Sequence, residues 1–132
     1  MDATDERLTI QQVAEQTGLS VHTLRYYERI GLIHPIERAD NSHRRYSLDD
    51  VGWIDFLMKL RATGMTIQQM QAYAELQRQG DVTVSQRLEM LQEHRCLVEE
   101  QIAILQEHLK LIYYKIEVYG EIVADQLQEA SG

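Results

Sequence analysis

Cysteine and proline each occur once in the 132 residues, tryptophan and phenylalanine once each, and 13 Lys+Arg face 21 Asp+Glu. One cysteine cannot close an internal disulfide and cannot build a Cys-rich zinc site. No run approaches the roughly 20 apolar residues that a membrane span requires. The first residues, Met1 to Glu6, are acidic where a signal peptide is basic and then apolar, so the expected setting is cytoplasmic. Stability must come from apolar burial, and the length gives room for one small domain plus an appendage. A large multi-domain enzyme is excluded.

The deficit of positive charge, net -8, argues at first sight against a nucleic-acid partner, because phosphate binding calls for a basic face. The acid is unevenly placed, however. Residues 81–132 hold 4 Lys+Arg and 10 Asp+Glu, net -6, whereas residues 21–61 hold 7 and 6, net +1. Local geometry must decide whether a phosphate-binding surface exists.

Three segments place Thr three residues before Gln: Thr9–Gln12, Thr66–Gln69 and Thr83–Gln86. Each reads as a capping box, which predicts helices starting near 10, 67 and 84. The first helix should run to about Gln16 and stop at Thr17-Gly18-Leu19-Ser20, where Gly18 permits the turn and Ser20 caps a second helix, Val21 to Ile30. Gly31 ends it. Two short helices around a tight turn make a helix-turn-helix. Leu32–Arg38 and His43–Tyr46 then flank the turn formers Ala39–Ser42, predicting a short hairpin. A third helix is expected from Leu48 to about Thr63, and a fourth from Thr66 to near Gly80.

From Val84 a regular apolar series sets in. Val84, Leu88, Leu91, Arg95, Val98, Ile102, Leu105, Leu109, Ile112, Ile116, Tyr119 and Val123 alternate at spacings of 4 and 3, with only Arg95 breaking the series. That is a coiled-coil seam. Such a helix would be roughly 60 Å long, more than a small domain can cover, so it needs a partner helix, and a second copy is the simplest. A second stripe, Met90, Leu97, Ile104, Leu111 and Val118, recurs every seventh residue and points to a further neighbour, assigned to a DNA-binding domain. The fold class is thus mainly α, with a helix-turn-helix domain followed by a long dimerisation helix.

In the second helix a projection at about 100° per residue sets Val21 and Leu24 inward and His22, Tyr26 and Arg29 outward, flanked by Arg25. Arginine offers a planar fork to guanine or phosphate, tyrosine offers a hydroxyl to phosphate, and His22 lies near the helix N-terminus, where recognition helices touch base edges. A solvated face is the plain alternative. His43, Arg44, Arg45 and Tyr46 form a basic cluster at the hairpin, which after a helix-turn-helix becomes a wing. Thr66 and the amides behind it make either an anion site or a simple cap.

Thr9–Ala14, Leu19–Glu28, Gly31-Leu32-Ile33, Arg44-Arg45-Tyr46 and Leu60–Thr66 together closely resemble the MerR family of bacterial transcription regulators, over residues 8–76, and the long helix extends the likeness to nearly the whole chain. The resemblance implies a winged helix-turn-helix dimer joined by an antiparallel pair of long helices. It implies binding to palindromic promoter DNA whose elements are badly phased for RNA polymerase, and effector-driven distortion of the spacer between them. By the same resemblance His22, Thr23 and Arg25 lie at the major groove, Tyr26 and Tyr27 near the backbone, and Arg44, Arg45 and Tyr46 on the wing. The expected divisions are a DNA-binding domain over 8–76, a dimerisation helix over 83–125 carrying seam residues Leu88, Leu91, Val98, Ile102, Leu105, Leu109, Ile112 and Ile116, and a tail over 126–132.

Metal-sensing members carry paired cysteines near the end of the long helix, and residues 113–132 hold no Cys or His, so no metal or other cofactor is expected. The ending Leu111–Tyr119 is similar to the aldehyde- and thiol-responsive branch, which usually has a cysteine in the third helix; Trp53–Lys59 has none. Cys96 lies beside Glu99 and Glu100, carboxylates that blunt a thiol, so it reads as incidental more readily than as a redox switch. His94 and His108 are fourteen residues apart, roughly 21 Å along one helix, too far to share a metal. Tyr113 and Tyr114 interrupt a Glu-rich face. Either the tail or a partner helix covers them, or they line a small-molecule effector pocket. No acid/base constellation points to an enzyme. A coiled-coil interaction adaptor without DNA binding is the competing class.

Overall fold

The computed structural model describes residues 7–34 and 45–131, with Arg45 described in its backbone only. The elements are β1 (Leu8–Thr9), α1 (Ile10–Thr17), α2 (Val21–Arg29), β2 (Arg45–Tyr46), α3 (Leu48–Ala62), α4 (Ile67–Arg78), a 3-10 turn (Gly80–Thr83) and α5 (Val84–Ser131). The chain divides into a unit ending at Leu91 and a unit from Gln92 onward. It is a mainly α fold.

Local chemistry sets most helix starts. At α1 the Gln12 amide donates to Thr9 Oγ1 at 3.2 Å and the Thr9 amide to Gln12 Oε1 at 2.8 Å. The same reciprocal pair recurs between Thr66 and Gln69 at α4, at 3.1 and 3.0 Å. Each box satisfies two amides that the first helical turn would otherwise leave without partners. α3 begins with a box of different letters, Ser47 and Asp50, at 3.1 and 2.8 Å. The Ser20 hydroxyl caps α2 by accepting from the Thr23 amide at 3.0 Å. Between α1 and α2 the chain reverses at Gly18, whose φ of 78° lies in the left-handed region that a Cβ disfavours.

The third Thr/Gln segment behaves otherwise. No capping box forms at Thr83: this residue closes the 3-10 turn, and the Val84 amide already donates to the Asp81 carbonyl. The Thr83 side chain turns inward and is 2% exposed. Its hydroxyl reaches the Leu76 and Gly80 carbonyls and accepts from Arg87 Nε at 3.1 Å. Arg87 also donates to Gln77 Oε1 at 2.7 Å and to the Gly80 carbonyl at 2.9 Å. This polar knuckle joins the end of α4 to the first turn of α5.

The core of the first unit is apolar and continuous. Val13 of α1, Leu24 of α2, Ile54 and Leu57 of α3 and Met70 of α4 are fully enclosed, with Leu32 and Ile33 beside them. Truncating any one of the enclosed aliphatic side chains to alanine costs about 2–5 kcal/mol. Trp53, Phe56 and Tyr73 cluster between α3 and α4, Trp53 stacked on Tyr73 at 5.9 Å between ring centroids.

β2 pairs antiparallel with β1, Leu8 opposite Tyr46 and Thr9 opposite Arg45. Of the predicted hairpin's first arm, Leu32 and Ile33 are core residues, and the rest of that arm from residue 35, with the predicted turn, lies outside the described residues. Leu91, expected in the seam, packs against the core of the first unit.

α5 has 48 residues, about 72 Å of helix, and no buried side chain. It continues to Ser131, so the expected tail from 126 is helical and does not fold back. The apolar series projects into the open: Ile102, Leu105, Leu109, Ile112 and Ile116 are exposed, as are Leu97, Ile104 and Leu111 of the second stripe.

Candidate nucleic-acid interface

α2 presents a divided surface. Leu24 and Tyr27, three residues apart, face the core, with Tyr27 only 8% exposed. His22, Arg25 and Arg29 are exposed, and Tyr26 is 40% exposed. The Arg29 guanidinium lies over the Tyr26 ring, 5.8 Å from its centroid, a cation–π contact that orders both side chains along the outer arc. At the start of the helix the Ser20 hydroxyl sits 2.9 Å from Thr23 Oγ1, fixing the Thr23 side chain next to His22. The arc therefore carries two guanidinium forks, an imidazole, a threonine hydroxyl and a phenol on one side of a short, rigid helix. These are groups that hydrogen-bond to base edges and phosphate oxygens.

Two expected contacts are core residues. Tyr27 packs with Leu24 beneath the arc, and Tyr46 is 0% exposed beside β1. Both rings are large and largely apolar, so burial outweighs presentation to a groove. Arg44 and His43 lie outside the described residues, as does the Arg45 side chain. The β1–β2 pairing places the Arg45 backbone opposite Thr9. Thr66 is exposed, with its hydroxyl and its amide both engaged in the capping box at the start of α4.

The C-terminal end of α2 shows an arrangement that sequence patterns did not signal. The last carbonyls of a helix have no intrahelical donors. Here amides of residues 30–33 meet those of Tyr26, Tyr27 and Glu28, and the next three carbonyls are met from a distance: Gln71 Nε2 donates to the Ile30 carbonyl at 2.9 Å, Arg78 Nη1 and Nη2 to the Gly31 carbonyl at 2.9 and 2.7 Å, and Trp53 Nε1 to the Leu32 carbonyl at 2.7 Å. The pairs are separated by 41, 47 and 21 positions, so no local spacing announces them.

In the second unit Tyr113 and Tyr114 are 62% and 59% exposed, and Cys96 is an exposed free thiol. The structure does not gather these three into an enclosed site. Among the described residues no three His, Cys, Asp or Glu side chains are grouped so as to hold a metal ion. Nor is any described helix long and apolar enough to cross a membrane.

Comparison with known proteins agrees with this geometry. The profile of MerR HTH family regulatory proteins matches residues 8–77, and a second profile, MerR, DNA binding, matches residues 51–111. The HTH-type transcriptional regulator AdhR of Bacillus subtilis (strain 168) is 43% identical over 88 residues, 67% of this chain and 63% of AdhR, so the match spans under two thirds of that relative. A crystal structure of a MerR family transcriptional regulator from Listeria monocytogenes superposes with a TM-score of 0.85 at 35% identity, covering 94% of each chain. HiNmlR, described as a MerR family regulator lacking the sensor domain and crystallised bound to promoter DNA, superposes with a TM-score of 0.82 at 33% identity, covering 90% of this chain and 94% of its own. With an exposed polar arc on the second helix of a helix-turn-helix, and these matches over more than half its length, the chain belongs to the MerR family and is a DNA-binding transcription regulator, not an enzyme.

Proposed function

We propose that the protein binds a palindromic promoter as a homodimer and sets transcription by distorting the spacer DNA between the elements that RNA polymerase reads. In this reading residues 8–76 grip the DNA and residues 83–125 join two copies through antiparallel α5 helices. α2 enters the major groove with His22, Thr23 and Arg25 at base edges, and Tyr26 and Arg29 reach the backbone. Arg44 and Arg45 act from the wing, and Thr66 meets a phosphate at the start of α4. The observation that carries the reading is the division of α2, with Arg25, Tyr26 and Arg29 exposed opposite buried Leu24 and Tyr27. That HiNmlR was crystallised on promoter DNA supports it.

The homodimer is supported by α5 itself. Ile102 is 48% exposed and its heptad neighbours are similarly open. Covering an aliphatic side chain fully contributes about 1.5–3 kcal/mol, so finishing the burial of several half-open ones supplies a stable interface. A dimer also fixes the spacing of two α2 helices, which is what an inverted repeat demands. Bending a site costs on the order of 1–6 kcal/mol, a range that differential effector binding can match. The effector is a small molecule held along α5, with Tyr113 and Tyr114 as lining and Cys96 as a further candidate.

A gel-shift titration with a palindromic promoter fragment, repeated at rising salt, tests the reading. The expected result is a discrete shift that weakens steeply with salt, because phosphate contacts release counterions. An unshifted fragment at every salt concentration would overturn it.

A further inference from the structure

The four long-range bonds at the end of α2, from three side chains, converge on consecutive carbonyls. Ile30, Gly31 and Leu32 each receive a donor from α3 or α4, whereas the carbonyls of Tyr26, Tyr27 and Glu28 are met by amides of residues 30–33 within the same turn. The division is informative. The chain closes the helix end by itself and then hands the next three acceptors to side chains rooted on the opposite side of the core. Arg78 places both terminal nitrogens on one carbonyl oxygen, and its Nε lies 3.6 Å from Glu75, so its donors are directed into the protein although it belongs to an exposed turn. A cation there also complements the negative end of the helix dipole. Gly31 has a φ of 84°, and a Cβ added to it would lie 3.4 Å from Arg78 Nη2. The left-handed backbone conformation favours glycine at this place.

We infer that Arg78, Gln71 and Trp53 are positioning residues for DNA recognition, which clamp the C-terminal end of α2 to α3 and α4 and so set the angle at which the outer arc meets the groove. The inference rests on the reading of α2 as the base-contacting helix. Its physical basis is lever geometry. α2 has nine residues, about 13 Å, and base contacts tolerate little misplacement, so a small rotation about its buried residues displaces His22 and Thr23 at the near, N-terminal end. The cap at Ser20 bonds only to Thr23 within that same end. Leu24 and Tyr27 hold the middle through apolar packing, which is non-directional. Hydrogen bonds at the far end supply the direction. The same α4 that carries Gln71 and Arg78 is tied at its C-terminal end to Thr83 and Arg87, so the clamp is anchored to a helix that is itself fixed.

The test uses the full chain and two duplexes: one selected by the wild-type protein from a random-sequence pool, and one of scrambled sequence. Affinity for both is read by fluorescence anisotropy across a potassium chloride series for wild type, Arg78→Ala, Arg78→Lys, Gln71→Ala and Arg25→Ala, with circular dichroism confirming the fold. For Arg78→Ala the ratio of selected to scrambled affinity should fall at least ~10-fold, the scale of a lost base contact. Its affinity for the scrambled duplex and its salt slope should stay at wild-type values. Arg78→Lys, which keeps one donor for the Gly31 carbonyl, should recover part of the ratio, and Gln71→Ala should lose it more mildly. An Arg78→Ala protein with an unchanged ratio would overturn the inference. So would one that weakens on both duplexes with a shallower salt slope, the behaviour of a phosphate contact. Should Arg78→Ala fail to fold, Arg78→Lys and Gln71→Ala carry the same comparison, and an unchanged ratio in both counts against the clamp. Arg25→Ala separates the two levels. If it leaves the ratio untouched, α2 is not the reading helix; if it abolishes the ratio while the Arg78 variants do not alter it, the clamp alone is wrong.

Discussion

Replacing Thr83 with valine exchanges a hydroxyl for a methyl at an enclosed position, so the volume stays and the polar contacts go. The Gly80 carbonyl keeps its bond from Arg87 Nη2, and Arg87 keeps Gln77. The Leu76 carbonyl keeps the Gln79 amide at 3.1 Å and loses only its second donor, and the Arg87 Nε hydrogen loses the threonine oxygen that accepts it. Arg87 is half-buried, so water can replace part of its loss. Two net hydrogen bonds at about 1 kcal/mol each give roughly 2 kcal/mol for the substitution. In a domain of this size that lowers the melting temperature by on the order of 10 °C. The measurement is thermal denaturation followed by far-UV circular dichroism, at equal protein concentration because any self-association raises stability by mass action. Thr83→Ser is the control: it keeps the hydroxyl, drops one methyl and should lose only about 1 kcal/mol. If valine melts with the wild type, or serine falls as far as valine, the knuckle does not hold α4 to α5 by hydrogen bonding.

Arg25→Ala should cost at least ~1–3 kcal/mol of promoter affinity with sedimentation still reporting the wild-type assembly, and undiminished binding would remove Arg25 from the interface. Ile102→Glu places a charge on the exposed apolar ladder of α5 and should yield monomers in analytical ultracentrifugation together with loss of the promoter shift; a persisting dimer would remove the seam. Gly31→Ala forces a Cβ into the left-handed region 3.4 Å from Arg78 Nη2, and should destabilise the protein by about 1–2 kcal/mol in urea denaturation, whereas an unchanged midpoint would mean the turn relaxes freely.

Legibility in the sequence followed the range of the interaction. Thr9–Gln12 and Thr66–Gln69 act within one turn, and both boxes form where the letters stand. Thr83–Gln86 has the same letters and a different outcome, because the 3-10 turn before it already supplies an acceptor for the Val84 amide and the Thr83 hydroxyl is turned to the Leu76 and Gly80 carbonyls. Tyr27 was readable as a core residue from its spacing to Leu24, since residues three apart share a helix face. Only the resemblance to the family places it at the DNA backbone. Tyr46 sits on a strand of two residues, too short for alternation to tell one face from the other. The partner of that strand, Leu8–Thr9, lies some forty positions away, and so do the donors that hold the end of α2. Contacts of that kind leave no period in the chain.

A net charge of -8 is compatible with DNA binding because of where the acid lies. Ten acidic residues lie between 81 and 132, where α5 has no buried side chain and the carboxylates are solvated. Glu99 is fifteen residues beyond Val84, roughly 22 Å along the helix, and at 0.1 M salt the Debye length is only about 10 Å. From Glu99 to Glu129 the acid is therefore more than two screening lengths from the start of α5. Its field at the start of the helix is correspondingly weak. Within α2 itself Arg25 and Arg29 outnumber Glu28, and Arg29 is steadied over Tyr26. Net charge describes solubility and long-range steering, and a screened rod of glutamates adds to the first without cancelling the two exposed guanidinium groups of α2.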